Sequence, residues 1–316
     1  MRGYVVKRLL SMIPVLLIVA VIVFMIIHLI PGDPAAVILG PDATPTEVQN
    51  LREELGLNLP IYEQFIQWFA GILQGDFGRS VYMNMPVLEA FMGHIGPTLS
   101  LALLAQSISI VIAIPLGVVA AKRRGTHVDQ VFMIIAMLGL SIPSFLLALL
   151  LMLLFGVNLQ WLPVAGYSPV SAGLWNHLQY MILPAISLGA IQAAVISRMS
   201  RSSMIDILNM NYIKTAKAKG VKDRVVTYKH ALRNAFIPIL TILGETFGAL
   251  ITGAVVTETV FNLPGIGQLV VNAITRRDYA VIQGTILIIA ASYLLLNLII
   301  DLLYGLVDPR VRLNRK

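Results

Sequence analysis

Few residues in this chain have the type and spacing that covalent chemistry needs. Gly139-Leu140-Ser141-Ile142 offers a G-x-S-x serine inside an apolar run, with His28 or His177 as the bases an intramembrane serine protease would use. Such a nucleophile requires its base within hydrogen-bond reach. His28 falls near the outer end of one apolar run and His177 at the start of another, which does not set either beside the serine. Asp76-Phe77-Gly78 copies three letters of a kinase motif, but no glycine-rich phosphate loop or catalytic-loop partner accompanies it. No G-x-x-x-x-G-K-[ST] occurs, so the chain has no visible cradle for ATP, and any ATP chemistry belongs to a partner. With no cysteine, thiolate metal sites, cysteine nucleophiles and disulfides are excluded. The expectation is therefore no catalytic residue, no metal and no cofactor.

What remains chemically notable is an acid inside a membrane-like segment. Glu245 sits deep in an apolar run, where an ionisable group must face a partner or a watery cavity. It makes a proton-coupled carrier a second rival, although no inverted repeat is visible.

The elements that must position these residues are helices in lipid. Hydrophobic residues make up 57% of the 316, charged residues 12%, and the mean hydropathy is +0.82, outside the range of ordinary soluble domains. Six runs of spanning length lie at about 9–30, 97–121, 131–155, 178–197, 235–257 and 280–306. Nineteen of the 23 basic residues fall at the termini, at Lys122-Arg123-Arg124 or in the 198–234 loop. The positive-inside rule places all of these in the cytoplasm, so the net charge of +7 is a topology signal and nucleic acid is not an expected partner. The first run exceeds the apolar core of a signal peptide and is read as a retained anchor. The expected organisation is 1–30 for the N-terminus and first helix, 31–96 for an extracytoplasmic helical segment, and 97–316 for a five-helix core that includes the loop 198–234.

In the external segment, Thr44-Pro45-Thr46-Glu47 fits a capping box opening a short helix. Tyr62, Phe65, Ile66, Phe69, Ile72 and Leu73 then recur at helical spacing, an apolar stripe expected to lie on the membrane domain. In the basic loop, Asn211 is expected to cap a helix running through Tyr212, Ile213, Lys214, Thr215, Ala216, Lys217, Ala218 and Lys219. Gly220 suits the left-handed position that closes it. Ala216 and Gly220 share a face at i, i+4 and would admit a close-lying partner surface.

Across nearly its whole length the chain resembles the permeases of ATP-binding-cassette importers, in particular the first permease subunit of the dipeptide, oligopeptide, nickel and glutathione group. The stretches that carry the resemblance are Ile30-Pro31-Gly32-Asp33-Pro34, Tyr212 to Gly220, His230-Ala231-Leu232-Arg233-Asn234-Ala235, Phe261-Asn262-Leu263-Pro264-Gly265-Ile266-Gly267, Arg277-Asp278-Tyr279, and Asp301 to Gly305 with Asp308-Pro309-Arg310. The resemblance implies an all-α polytopic fold of the type I importer class, with six transmembrane helices in the inner membrane of a prokaryote and both termini cytoplasmic. It implies a second homologous permease as heterodimer partner, two ATPase subunits, and an extracytoplasmic substrate-binding protein, besides membrane lipid. Peptide is the implied cargo, with nickel, a metal chelate or glutathione as alternatives. It also implies that Tyr212 to Gly220 is a coupling helix that fits a cleft on the ATPase. The family pattern of a glutamate, two alanines and a later glycine falls on Lys214-Thr215-Ala216 and Gly220, so the glutamate is absent here. Substrate-path candidates are Glu245, Gly248 of the Gly244-x-x-x-Gly248 pair, and Asn262 and Pro264 of the external turn.

Overall fold

The computed structural model describes residues 2–29, 33–40, 42–54 and 56–307. Most of the Ile30 to Pro34 stretch, and the whole of Asp308-Pro309-Arg310, lie outside the described residues. The helices in chain order are α1 (Arg2–Leu29), α2 (Pro34–Leu39), α3 (Pro45–Glu54), α4 (Ile61–Leu73), α5 (Val87–Lys122), α6 (His127–Ser141), α7 (Ser144–Leu151), α8 (Leu174–Leu208), α9 (Asn211–Ala218), α10 (Asp223–Val225), α11 (Leu232–Gly253), α12 (Val255–Val260), α13 (Ile266–Arg276) and α14 (Tyr279–Val307). π-helical turns occupy Met152–Asn158 and Val226–Ala231. Among the described residues the one β feature is an isolated bridge between Arg79 and Pro86.

Five of these stretches are long and apolar enough to cross a membrane: Arg8–Leu29, Val87–Lys122, Leu174–Leu208, Asp223–Gly253 and Tyr279–Ile300. At 1.5 Å per residue the 36 residues of α5 reach roughly 54 Å, well beyond the ~30 Å hydrocarbon layer, so its ends stand outside it. The third expected span is not one helix. His127–Ser141 and Ser144–Asn158 meet at a 97° bend. The cause is local: Pro143 disfavours the helical region for the residue before it, and Ile142 is extended at φ −85°, ψ 119°. The fifth expected span also stops early, at Gly253, with short α12 continuing the chain.

The chain divides into two compact units, one from Met1–Gly96 with Gln268–Leu298, the other from Pro97–Gly267 with the chain from Ile299 onward. In the first, α4 is fastened to α1 by an aromatic cluster of Phe24, Phe65, Trp68 and Phe69, and His28 meets the Gln64 side chain at 3.2 Å. The apolar stripe expected on α4 therefore divides: Phe65 and Phe69 turn inward with Trp68, while Tyr62, Ile66 and Leu73 remain exposed. Apolar side chains cover more of the helix than one neighbour can bury. Asp278 is buried, accepts a hydrogen bond from the Ser80 hydroxyl, and tethers the Arg79 to Pro86 turn to the start of α14.

In the second unit, Leu101, Met181, Leu183, Leu188, Leu250, Phe261 and Leu263 form the core. Helices α5 and α8 approach closely at Gly189, where a Cβ would lie 2.8 Å from the Ala105 carbonyl oxygen. The Ser109 hydroxyl donates to the Gly189 carbonyl at 2.8 Å across the same contact. Small residues and interhelical hydrogen bonds are the adhesive available where lipid removes the hydrophobic drive.

The capping box forms as expected. Thr44 donates its N–H at 2.8 Å and its hydroxyl at 2.7 Å to Glu47, and the Glu47 N–H returns a bond to the Thr44 hydroxyl at 3.3 Å. These bonds, the backbone one first, hold the Glu47 carboxyl below its ordinary value. Thr44→Ala is expected to cost α3 about 1 kcal/mol of local stability. Hydrogen exchange should show faster exchange confined to 45–54, with the spans unchanged.

Candidate coupling surface and substrate path

Helix α9 is short and outlined by backbone bonds at both ends. Met210, in extended conformation, occupies the N-cap, and Asn211 is the first helical residue; the expected Asn211 cap is not made. The closing end follows expectation. Gly220 has φ +77°, its N–H bonds the Lys217 carbonyl at 2.9 Å, and the Val221 N–H bonds the Ala216 carbonyl at 3.2 Å. This is a complete Schellman closure, which a left-handed glycine permits without strain.

The helix is anchored from beneath. Ile213 is fully buried in a core with Met204 of α8, Val118 and Ala121 of α5, Val226 and Ala231 of the second π-helical turn, and Ala235 and Ile239 of α11. Ala216 and Val221 pack on the same core. Ala216 is therefore half-buried against the chain's own core, while Gly220 has open space around it. The small-residue face shared by these two is not an open surface at Ala216. At the rim, Asn234 Nδ2 donates to the Tyr212 hydroxyl at 2.7 Å, joining α9 to α11. Lys122 of α5 pairs with Asp223, another tie between the helix ends. Tyr212, Lys214, Thr215, Lys217, Ala218 and Lys219 are exposed, so the helix presents a basic surface with an aromatic ring at its start.

A second constellation centres on Glu258, an acid that sequence reasoning passed over because it follows the expected end of the fifth span. Its side chain is fully buried. The Thr98 hydroxyl donates to Glu258 Oε1 at 2.6 Å and accepts from the Ile266 N–H at 2.8 Å. The Leu263 N–H bonds the Glu258 carbonyl at 2.8 Å. A Cβ on Gly265 would fall 2.3 Å from the carboxyl carbon, and one on Gly267 would fall 2.9 Å from Oε2, so both glycines make room for the acid. The signal available in the sequence was that pair of glycines, spaced by one residue and preceded by an acid. Phe261 and Leu263 are buried on either side, leaving Asn262 exposed at φ +50° and Pro264 half-buried.

A family model described as the inner membrane component of binding-protein-dependent transport systems matches residues 113–313, and one for the N-terminal part of such components matches residues 1–102. The chain belongs to this family. It is a membrane-spanning permease subunit of an ABC importer. A probable peptide ABC transporter permease, y4tP of Sinorhizobium fredii (strain NBRC 101917 / NGR234), is 43% identical over 99% of this chain and 100% of its own length. The glutathione transport system permease GsiC of Salmonella choleraesuis (strain SC-B67) is 44% identical over 99% of each chain, and GsiC of Escherichia coli (strain K12) is 42% identical over the same shares.

Within this permease the expected path residues separate. Glu245 is exposed on α11, whereas Gly248 is buried. Its partner in the pair, Gly244, faces Ile300 of α14, whose Cγ2 would lie 2.7 Å from an added Cβ. Asn262 and Pro264 share the turn that Glu258 supports. The residues of the protease reading are engaged elsewhere: the Ser141 hydroxyl donates to the Met137 carbonyl at 2.9 Å, and His177 Nδ1 contacts the Ser168 carbonyl at 2.7 Å. Asp76-Phe77-Gly78 is a turn, with the Gly78 N–H on the Asp76 carboxylate at 2.9 Å. Among the described residues no group of three or more His, Cys, Asp or Glu is placed to hold a metal ion.

Thr98→Val removes the donor to Glu258 and the acceptor for Ile266 while keeping the side-chain volume. Leaving the buried Ile266 N–H without its acceptor costs about 1–3 kcal/mol. The purified variant should unfold at a lower temperature, and Thr98→Ser, which restores the hydroxyl, should recover most of the loss.

Proposed function

We propose that this permease forms the pathway of a peptide importer, paired with a second homologous permease, two ATPase subunits and an extracytoplasmic substrate-binding protein. The concentration of basic residues at Lys122 to Arg124 and across 198–234 supports a cytoplasmic position for α9 and the termini. The observation that carries the coupling role is the construction of α9: an exposed basic surface on a helix whose underside, at Ile213, is locked into a core shared with α5, α8 and α11. A protruding helix fixed this way transfers displacement to three spans at once, because a close-packed core does not absorb it. Tyr212 to Gly220 dock on the ATPase in this reading. The missing glutamate at Lys214 means that the contact relies on basic and small side chains.

Peptide cargo is supported by the naming of y4tP as a peptide permease at 43% identity, and glutathione by that of GsiC at 42–44%. Glutathione is itself a small peptide, so both names lead to a pathway for short chains bearing a carboxylate and an ammonium group. Glu245, exposed midway along α11, faces the pathway in this reading and attracts the cargo's ammonium group. The exposed Asn262 and half-buried Pro264 form the turn offered to the delivering protein.

Four measurements test this. Reconstituted transport should require ATP, the ATPase subunits and the binding protein; uptake driven by a proton gradient alone would refute it. Ala218→Trp changes an exposed residue of α9 and should weaken ATPase association by roughly 2 kcal/mol, the scale of a central interface residue, while membrane insertion is retained. Normal ATPase capture with normal uptake would remove α9 from the interface. Glu245→Gln should reduce uptake of cationic peptides more than of anionic ones, and equal effects on both would dismiss its role as a charge guide. Mass spectrometry of the ligand that copurifies with the cognate binding protein distinguishes linear peptide from glutathione.

A further inference from the structure

Of the basic residues outside the cytoplasmic group read from the sequence, Arg52 is paired with Asp33. The other three, Arg79, Arg276 and Arg277, belong to the first unit and gather at the Arg79 to Pro86 turn. All three are exposed, and none has an ion-pair partner among the described residues. Arg79 donates to the Asn84 side chain and carbonyl at 2.8–3.2 Å, both neutral acceptors. The Arg276 guanidinium lies 3.5 Å from the centre of the Tyr82 ring, and Arg277 is held at φ +56° just past the end of α13. The acids of the neighbourhood are engaged elsewhere or apart. Asp278 is buried on the Ser80 hydroxyl at 2.5 Å, the exposed Asp76 accepts the Gly78 N–H at 2.9 Å, and neither they nor Glu89 pairs with an arginine among the described residues.

The turn is built for display. The Ser80 N–H bonds the Met85 carbonyl at 2.9 Å, the Val87 N–H the Gly78 carbonyl at 3.0 Å, and the Met83 N–H the Ser80 hydroxyl at 2.8 Å. Ser80 and Val87 are buried at its base, while Val81 and Tyr82 are 57% and 64% exposed. A stiff turn that holds a tyrosine out beneath an arginine has the composition of an interface centre, where these two residue types are enriched, and it is ordered before any partner arrives.

We propose that this surface receives an acidic face of the extracytoplasmic binding protein, with Arg276 and Arg277 steering its approach and Tyr82 and Val81 anchoring it. The inference rests on the importer reading above. Height separates this occupant from lipid. Residues 87–96 of α5, which include Glu89 and His94, place roughly 15 Å of helix between the turn and the apolar run that begins at about 97. A 40° tilt would still leave about 11 Å, more than the roughly 5–7 Å of a headgroup layer. Charge separates it from a permanent subunit. A partner that stays assembled gains little from unpaired surface charge, whereas a soluble protein that arrives by diffusion gains association rate from it.

The test uses the full-length permease assembled with its partner subunits in bilayer discs, with the cognate binding protein as the soluble probe. At low ionic strength Arg276→Gln with Arg277→Gln should slow association about tenfold with little change in dissociation, and high ionic strength should remove the difference. Arg276→Lys with Arg277→Lys keeps the charge and should keep the wild-type association rate. Tyr82→Ala should speed dissociation roughly thirtyfold, as loss of a central interface ring does. ATPase capture and unfolding temperature should be unchanged in all three. Because this chain has no cysteine, Val81→Cys gives it a single attachment point for a benzophenone, which should cross-link to the binding protein. Wild-type rates in the glutamine pair, equal slowing in the lysine pair, or cross-linking from position 81 to lipid or to the second permease would each overturn the proposal while leaving the importer reading intact. A wild-type assembly that captures no binding protein would overturn that reading and this inference with it.

Discussion

The absence of water in the hydrocarbon layer is the constraint from which the rest of this structure follows. A backbone polar group left there without a partner costs several kcal/mol, so a continuous helix is the default and each departure needs a substitute partner. At the 97° bend, the Ile142 N–H still reaches the Leu138 carbonyl at 3.1 Å, and the Leu146 and Leu147 N–H groups reach Pro143. The chain thus changes direction with the bonds on both sides retained. Between α12 and α13 the Asn262 and Leu263 N–H groups turn back to the Thr259 and Glu258 carbonyls, and Thr98, a residue of a different span, supplies both a donor and an acceptor. Side chains also join spans, as Gln106 does with Thr246 and Ser109 with Gly189, the second across a contact made close by the glycine.

Helix α9 obeys the opposite condition. Its exposed groups are solvated, so eight residues suffice where an isolated helix of that length would not persist. What holds it is tertiary packing at Ile213 and the closure at Gly220. These two devices divide the work: the buried isoleucine fixes the helix to three spans, and the left-handed glycine ends it sharply enough for the chain to return to α10 within a few residues. The exposed side carries none of the packing energy. In the coupling role proposed for this helix, those residues can suit a partner's surface without disturbing the core.

Local features were legible in the sequence, and features that depend on neighbours were not. Five of the six apolar runs, the Thr44 capping box and the Gly220 closure each depend on neighbouring residues in sequence, and each appears, while the third run breaks at the 97° bend. Proline shows the limit. Pro115, Pro184 and Pro238 lie inside continuous helices, whereas Pro143 ends one. Neighbouring helices can re-satisfy the carbonyl a proline frees, and a single sequence does not reveal which prolines have such neighbours. The two sides of α4 read as one stripe because apolar spacing identifies what wants burial but not how much neighbouring surface exists to bury it. Asn211 illustrates a smaller error, a good capping residue displaced by one position from the cap.

Glu245 and Glu258 show why depth along the chain is a poor guide to environment. Glu245 lies in the middle of α11 and is exposed; Glu258 lies beyond the expected end of the span and is fully buried. For Glu258 the surrounding chain supplies the hydroxyl of Thr98 and the space left by Gly265 and Gly267, so its position is specified from within and its role is to hold the turn that displays Asn262. No such enclosure forms around Glu245. A carboxylate facing hydrocarbon would be severely penalised, so the pathway role proposed for Glu245 supplies the polar surroundings that its own chain does not. Glu258, enclosed by its own chain, supports the turn between α12 and α13.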